Sequence, residues 1–264
     1  MALFSAVIDA FDAPADRAVI DEVAAWVADT YRADLQARPS RHVYLSTLPA
    51  ELLARIDVLR KSQRVFDHIR AGFDEPVQIT PLPETDELYL SHYNRDLGGD
   101  EGLFARHYDG NLRAIPVGAV VRALIYLRST GAYDVVFHSS GVHRRAATYD
   151  LLLLDFHREL HWVEGRYDPS DGERMLLKCN FLVAPIRQMW AHRALWALNV
   201  GQFHVVKAAM EYSKSPRTVP QRAVGLLCNV ARVLNNVHPA LPHVALVAGV
   251  VVGVVAVSAL AAAL

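Results

Sequence analysis

The sequence predicts an α+β protein: a barrel-like β-sandwich with helical segments before and after it. Three features carry that expectation. Between Leu88 and Val183 eight short apolar segments alternate with turn residues, which is strand patterning. On either side, apolar residues recur at three- and four-residue steps, the period of amphipathic helices. At 264 residues, 52% of them hydrophobic, the chain can bury one full core.

Taken in order, Asp16 to Leu35 carries Val19, Ile20, Val23, Trp26, Val27 and Tyr31 on one stripe, a packing helix. Pro49 introduces Leu52, Leu53, Ile56 and Leu59, and Val65, Phe66 and Ile69 follow, so one or two more helices complete a helical N-terminal support region over 1–75. Prolines from Pro76 to Pro83 then end the helical pattern.

Strands are expected at Leu88–Tyr93, Leu103–Tyr108, Val120–Leu127, Tyr133–His138, Val142–Ala147, Leu151–Phe156, His161–Val163 and Met175–Val183, within a β-domain spanning 76–185. Gly98-Gly99-Asp100, Gly131, Ser139-Ser140-Gly141 and Pro169-Ser170-Asp171-Gly172 supply the turn chemistry between them. A helical extension, 186–240, follows. Met189, Trp196, Phe203 and Met210 recur every seven residues and read as core, and Val224, Leu227, Ala231 and Leu234 form a second stripe beyond the Ser213-Lys214-Ser215-Pro216 linker.

Net charge is −1, which argues against a general nucleic-acid or acidic-surface binder. The two cysteines, Cys179 and Cys228, sit in apolar surroundings without CxxC spacing, so they read as buried thiols of a reducing compartment. Met1-Ala2-Leu3-Phe4 lacks a basic flank and meets Asp9 and Asp12 before any long apolar run, unlike a secretory signal.

The chemistry is expected at Phe104-Ala105-Arg106-His107-Tyr108-Asp109-Gly110-Asn111. On a strand His107 and Asp109 share parity, so both side chains face one side and can grip a single ion from adjacent positions. Two ligands make half of a two-histidine, one-carboxylate iron site, and a distant strand must supply the third; His157 and His161 are both placed to do so.

From about Glu87 to Ala184 the sequence resembles the iron(II)- and 2-oxoglutarate-dependent dioxygenases, in particular the prolyl 4-hydroxylase-like branch. The resemblance is carried by Tyr93-Asn94-Arg95, His107-Tyr108-Asp109-Gly110, Leu124-Ile125-Tyr126-Leu127, Leu151 to Phe156 with Leu160-His161, and Gly172 to Lys178. It implies a double-stranded β-helix core with iron on His107, Asp109 and His161, the last preferred to His157 because it directly follows Leu160 at the family's usual remove from the apolar run. It further implies a cation on the last strand, Lys178 rather than Arg174, for the distal carboxylate of 2-oxoglutarate, with Tyr93 beside it. The cofactors implied are Fe(II) and 2-oxoglutarate, with ascorbate as an accessory reductant, and the products are a hydroxylated prolyl residue or small molecule, succinate and CO2. The turn Thr130-Gly131-Ala132-Tyr133 and Ala147-Thr148-Tyr149 depart from the family pattern, leaving the triad intact but the substrate loops different.

Beyond Arg232 the chain has no Asp, Glu, Lys or Arg, and Val244 to Leu264 is an unbroken apolar run. At about 1.5 Å per residue it spans roughly the 30 Å hydrocarbon core of a bilayer, so residues 241–264 are expected to form a transmembrane tail anchor with the main domain on the cytosolic side. Gly249 and Gly253 form a GxxxG pair suited to a homodimer. The competing expectation is a non-catalytic, membrane-anchored β-domain that binds or builds without turnover.

Overall fold

The computed structural model describes residues 4–7, 9–37, 40–92, 104–110, 112, 118–164, 173–214 and 217–237. Eight strands carry the core: β4 (Glu87–His92), β5 (Phe104–His107), β6 (Ala119–Arg128), β7 (Thr130–Phe137), β8 (Val142–Ala147), β9 (Leu151–Asp155), β10 (His161–Glu164) and β11 (Glu173–Pro185). Each falls within one residue of an expected segment, except β7, which starts three residues earlier, and β11, which extends two residues further at each end.

These strands divide between two antiparallel sheets. One runs β9-β6-β11-β4 and the other β5-β10-β7-β8. Consecutive strands therefore cross from sheet to sheet, except within the β7–β8 hairpin, and that order is the jelly roll, or double-stranded β-helix. Alternation along β6 sets the two faces: Val121, Ala123, Ile125 and Leu127 pack outward into the helix-covered core, while Leu124 and Tyr126 pack inward between the sheets. Because both faces are covered, β6 reads as a nearly continuous apolar run.

The N-terminal region is not helical throughout. Besides α1 (Pro14–Ala37), α2 (Ala50–Arg60) and α3 (Gln63–Ala71), it supplies β1 (Phe4–Val7) and β2 (Ser40–Tyr44), which pair with β9 and β4 and extend the larger sheet at both edges. β3 (Val77–Pro81) pairs with the second half of β11, with Pro81 at its end, where a missing N–H is tolerated. The helices bury Ile20, Val23, Val27, Ile56, Leu59, Val65 and Ile69 against Leu177, Cys179 and Phe181 of β11. Phe66 meets Phe181 edge-on, with ring centroids 5.8 Å apart.

After β11 come α4 (His192–Lys214) and α5 (Val219–Val237). The seven-residue repeat does not form a buried seam here. Trp196 is 37% exposed, and α4 instead buries Leu195, Asn199 and Val200. Phe203 does pack, edge-on against Tyr44 at 5.8 Å. The side chains of Met189, Met210 and Cys228 lie outside the described residues, as do Tyr93, Gly249, Gly253 and the whole of 244–264. Among the described residues, no helix is long and apolar enough to cross a membrane.

Candidate metal centre

Strand register brings the two histidines together. His107 ends β5, His161 begins β10, and the two are direct partners across that antiparallel pair, with ring centroids 4.5 Å apart. Two residues further on, Asp109 turns back toward both. Its Oδ1 lies 3.4 Å from His107 Nε2 and its Oδ2 3.6 Å from His161 Nε2. One ligand atom from each of the three residues falls within 4.8 Å of the others. Donors about 2.1 Å from one ion and at right angles stand about 3 Å apart, so these three donors would draw closer together around a divalent ion.

The donor chemistry fits as well. His161 Nδ1 donates to the Glu159 carbonyl at 3.1 Å, which fixes the tautomer and leaves Nε2 with its lone pair toward Asp109. Burial depresses the His161 imidazole to about 4, against the pull of Asp109 in the other direction, so it is a neutral ligand at pH 7. Glu159 is itself anchored, accepting the Ser139 backbone N–H at 3.0 Å and the Ser139 hydroxyl. His107 is 28% exposed, which opens one side of the cluster to solvent.

His157 is engaged elsewhere. It is 4% exposed, its Nδ1 accepts the Leu112 N–H at 3.3 Å and its Nε2 donates to Asn199 Oδ1 at 2.7 Å. Both ring nitrogens are thus spent pinning α4 and the segment after Asp109 to the β9–β10 turn. Asp155 builds that turn by accepting the His157 and Arg158 N–H groups, each at 3.0 Å. Gly110 passes so close that a Cβ would overlap the His157 imidazole, and its N–H donates to Phe156 O at 2.8 Å. The glycine after the His-x-Asp pair is therefore a packing requirement.

Lys178 and Arg122, each beside a carboxylate inside the sandwich, define the electrostatics. Lys178 faces inward, but its anion belongs to the chain: Nζ lies 3.1 Å from Glu87 Oε1 and 4.5 Å from the Tyr89 ring centroid. His42 Nδ1 donates to the other Glu87 oxygen at 3.0 Å. Burial raises the Glu87 carboxyl, and Lys178 foremost, then His42, outweigh it and hold the group well below the usual carboxylate range. Lys178, expected to hold the distal carboxylate of 2-oxoglutarate, is thus paired with Glu87 here. On the same face of β11, Arg174 is 4% exposed, and its Nη2 donates to the Tyr126 hydroxyl at 3.0 Å.

The second cation, Arg122, is one the sequence reading passed over. It is 3% exposed, its Nη1 lies 2.8 Å from Asp109 Oδ2, and its Nε donates to Asn180 Oδ1 at 3.0 Å. Burial alone would raise the Asp109 carboxyl; Arg122, then His161 and His107, reverse that and hold it well below the usual range. The signal was available: an arginine inside Val120-Val121-Arg122-Ala123-Leu124 needs a buried anion, as Lys178 does. Arg106 stacks on Trp162 at 4.3 Å and Arg145 pairs with Asp134, both on the outer face of the smaller sheet. Arg95 and Arg113 lie outside the described residues.

No family model matches this chain, and no curated protein matches it. Solved structures do. The non-heme alpha-ketoglutarate-dependent epimerase SnoN from nogalamycin biosynthesis aligns at 14% identity and TM-score 0.44, covering 68% of this chain and 78% of its own. HygX from Streptomyces hygroscopicus, with nickel and 2-oxoglutarate bound, aligns at 15% and 0.43 over 69% and 82%. The viral collagen prolyl hydroxylase of Paramecium Bursaria Chlorella virus-1, in its 2OG complex, aligns at 13% and 0.41 over 69% and 96%. Every one of these TM-scores is below 0.5, so the jelly roll rests on strand order and register, and His107, Asp109 and His161 stand as a candidate metal site on their geometry.

The buried neutral His157 makes acid sensitivity predictable. Burial depresses it to about 4 from an ordinary 6.5, so between those values the unfolded chain binds a proton that the folded chain refuses. Its contribution is fully present above pH 6.5 and is lost as pH falls through about 4. Urea denaturation of metal-free protein at several pH values is expected to show the stability lead of wild type over His157→Gln shrinking across that window. The comparison cancels every other titrating group.

Proposed function

We propose that the protein is an iron(II)- and 2-oxoglutarate-dependent dioxygenase that hydroxylates a prolyl residue of a protein or a small molecule, releasing succinate and CO2. The observation that carries this reading is the convergence of His107, Asp109 and His161 at one end of a jelly roll, with His107 open to solvent. The three residues would hold an iron(II) ion from one side and leave it accessible to a 2-oxo acid and dioxygen. Iron(II) held there supplies oxidative decarboxylation of the 2-oxo acid coupled to hydroxylation of a C–H bond.

The chain's own residues orient the reactants. His161 presents Nε2 because Glu159 holds Nδ1, and Asp109 is directed by Arg122. For the distal carboxylate of the acid we favour Arg174 with the Tyr126 hydroxyl, because a planar guanidinium fork beside a phenol can hold a carboxylate through two parallel bonds, over Lys178, a point charge. Tyr93, the other residue expected there, lies outside the described residues. A second reading, a β-domain that binds without turnover, has one observation in its favour: the Arg122–Asp109 pair satisfies the aspartate without a metal.

The sequence also supports a membrane location through the apolar run 244–264, preceded by Arg217, Arg222 and Arg232 with no acidic residue among them. Next to it α5 leaves Val219, Leu226, Val233 and Val237 more than half exposed. On alkaline carbonate extraction, full-length protein is expected to stay with the membranes and a chain stopped after Pro239 to be released. Equal release of both contradicts the anchor.

Metal and cosubstrate titrations test the site. His107→Ala, Asp109→Ala and His161→Ala are each expected to abolish metal binding with most of the fold retained, while His157→Gln keeps the metal. Arg174→Gln is expected to raise the 2-oxoglutarate requirement by roughly 10- to 100-fold, the loss of a buried charge-assisted contact. Lys178→Met should shift it far less. The reverse order for Arg174 and Lys178 would return the acid's seat to the lysine.

A further inference from the structure

We infer that Arg122 is a positioning residue that clamps Asp109 into one-oxygen ligation and cancels its charge, so that the site holds a divalent ion weakly until a dianionic 2-oxo acid joins it. The inference rests on the metal-centre reading above.

The guanidinium is fixed on three sides. Nη1 holds Asp109 Oδ2 at 2.8 Å, Nε donates to Asn180 Oδ1 at 3.0 Å, and the Phe156 ring lies beneath at 4.4 Å. Asn180 is itself immobilised, donating Nδ2 to Thr85 O at 2.9 Å and to Thr85 Oγ1 at 3.0 Å, and its backbone N–H to Asp86 Oδ1 at 2.8 Å. Asp86 is closed in turn by Arg60 at 2.7 Å. Arg122 cannot swing away from Asp109 without breaking that chain of buried contacts.

Two consequences follow for a bound ion. With Oδ2 held by Arg122, Asp109 reaches the ion through Oδ1, the oxygen on the His107 side. Charge supplies the second. Two neutral imidazoles, one carboxylate and one guanidinium sum to zero, so a divalent ion arrives in a poorly solvated site beside a fixed positive charge and with no net negative charge to meet it. A dianionic acid binding to the ion restores neutrality. Each partner therefore favours the other, and the coupling is reciprocal. A triad without Arg122 would carry a net negative charge and hold the ion by itself.

The test is calorimetric titration of metal-free, full-length protein with Mn(II), a probe that needs no turnover, with and without saturating 2-oxoglutarate. In wild type the acid is expected to tighten Mn(II) by about tenfold or more, within the usual range of coupling between sites. Arg122→Gln should bind Mn(II) alone about tenfold tighter than wild type and lose most of the enhancement by the acid. Arg122→Lys, which keeps the charge, should stay closer to wild type than the glutamine variant. Unchanged or weaker Mn(II) affinity in a folded Arg122→Gln overturns the inference. Should that variant not fold, wild type alone decides: Mn(II) binding that 2-oxoglutarate leaves unchanged overturns it too. Wild type that binds no Mn(II) in either condition defeats the metal-centre reading itself, an outcome distinct from both.

Discussion

A carboxylate buried between two sheets must be compensated, and much of the interior of this protein is arranged around that requirement at Asp109. Left alone, its desolvation would cost several kcal/mol or force protonation. Arg122 meets the charge from β6, His107 and His161 approach from β5 and β10, and Asn180 of β11 steadies Arg122 from the opposite side. Four strands from two sheets thus have one ion pair in common. The β5–β10 register, which sets His107 opposite His161, is what allows both imidazoles to share that carboxylate.

The same logic separates the interior cations by role. Lys178 and Glu87 satisfy one another, with His42 completing the carboxylate, and so stiffen the wall formed by β4 and β11. Arg174 lies four residues earlier on the same face of β11 and donates to the Tyr126 hydroxyl. Arg122 serves the ligand side. Three interior cations on two adjoining strands are thus distinguished by what each touches: Lys178 a carboxylate of β4, Arg174 a phenol of β6, and Arg122 the carboxylate beside both histidines.

Much of the fold was legible because alternation and turn chemistry are local. The eight core strands stood out as short apolar runs, and β6 stood out most since both its faces are covered. The strands β1 and β2 were not legible: Phe4-Ser5-Ala6-Val7 is too short for a period, and Ser40-Arg41-His42-Val43-Tyr44 alternates too weakly beside strong helical stripes. In the site, His-x-Asp pointed to two candidate ligands by parity, whereas β5 ends at His107 and the turn beyond it brings Asp109 to the cluster; parity could not choose between His157 and His161. Tertiary hydrogen bonds make that distinction, since Leu112 and Asn199 consume both nitrogens of His157. Lys178 was read as needing an anion, and its pairing with Glu87 could not be seen in the sequence because it is a matter of strand register. Arg122 obeyed the same rule and was overlooked.

The central claim is that His107, Asp109 and His161 hold one metal ion. Crystals grown with Mn(II) and 2-oxoglutarate, measured at a wavelength where manganese scatters anomalously, test it directly. The account predicts a single strong peak bonded at about 2.0–2.2 Å to Nε2 of His107, Nε2 of His161 and one oxygen of Asp109, with Arg122 still on the other oxygen. No peak at the triad, or a peak coordinated by His157 in place of His161, would contradict it.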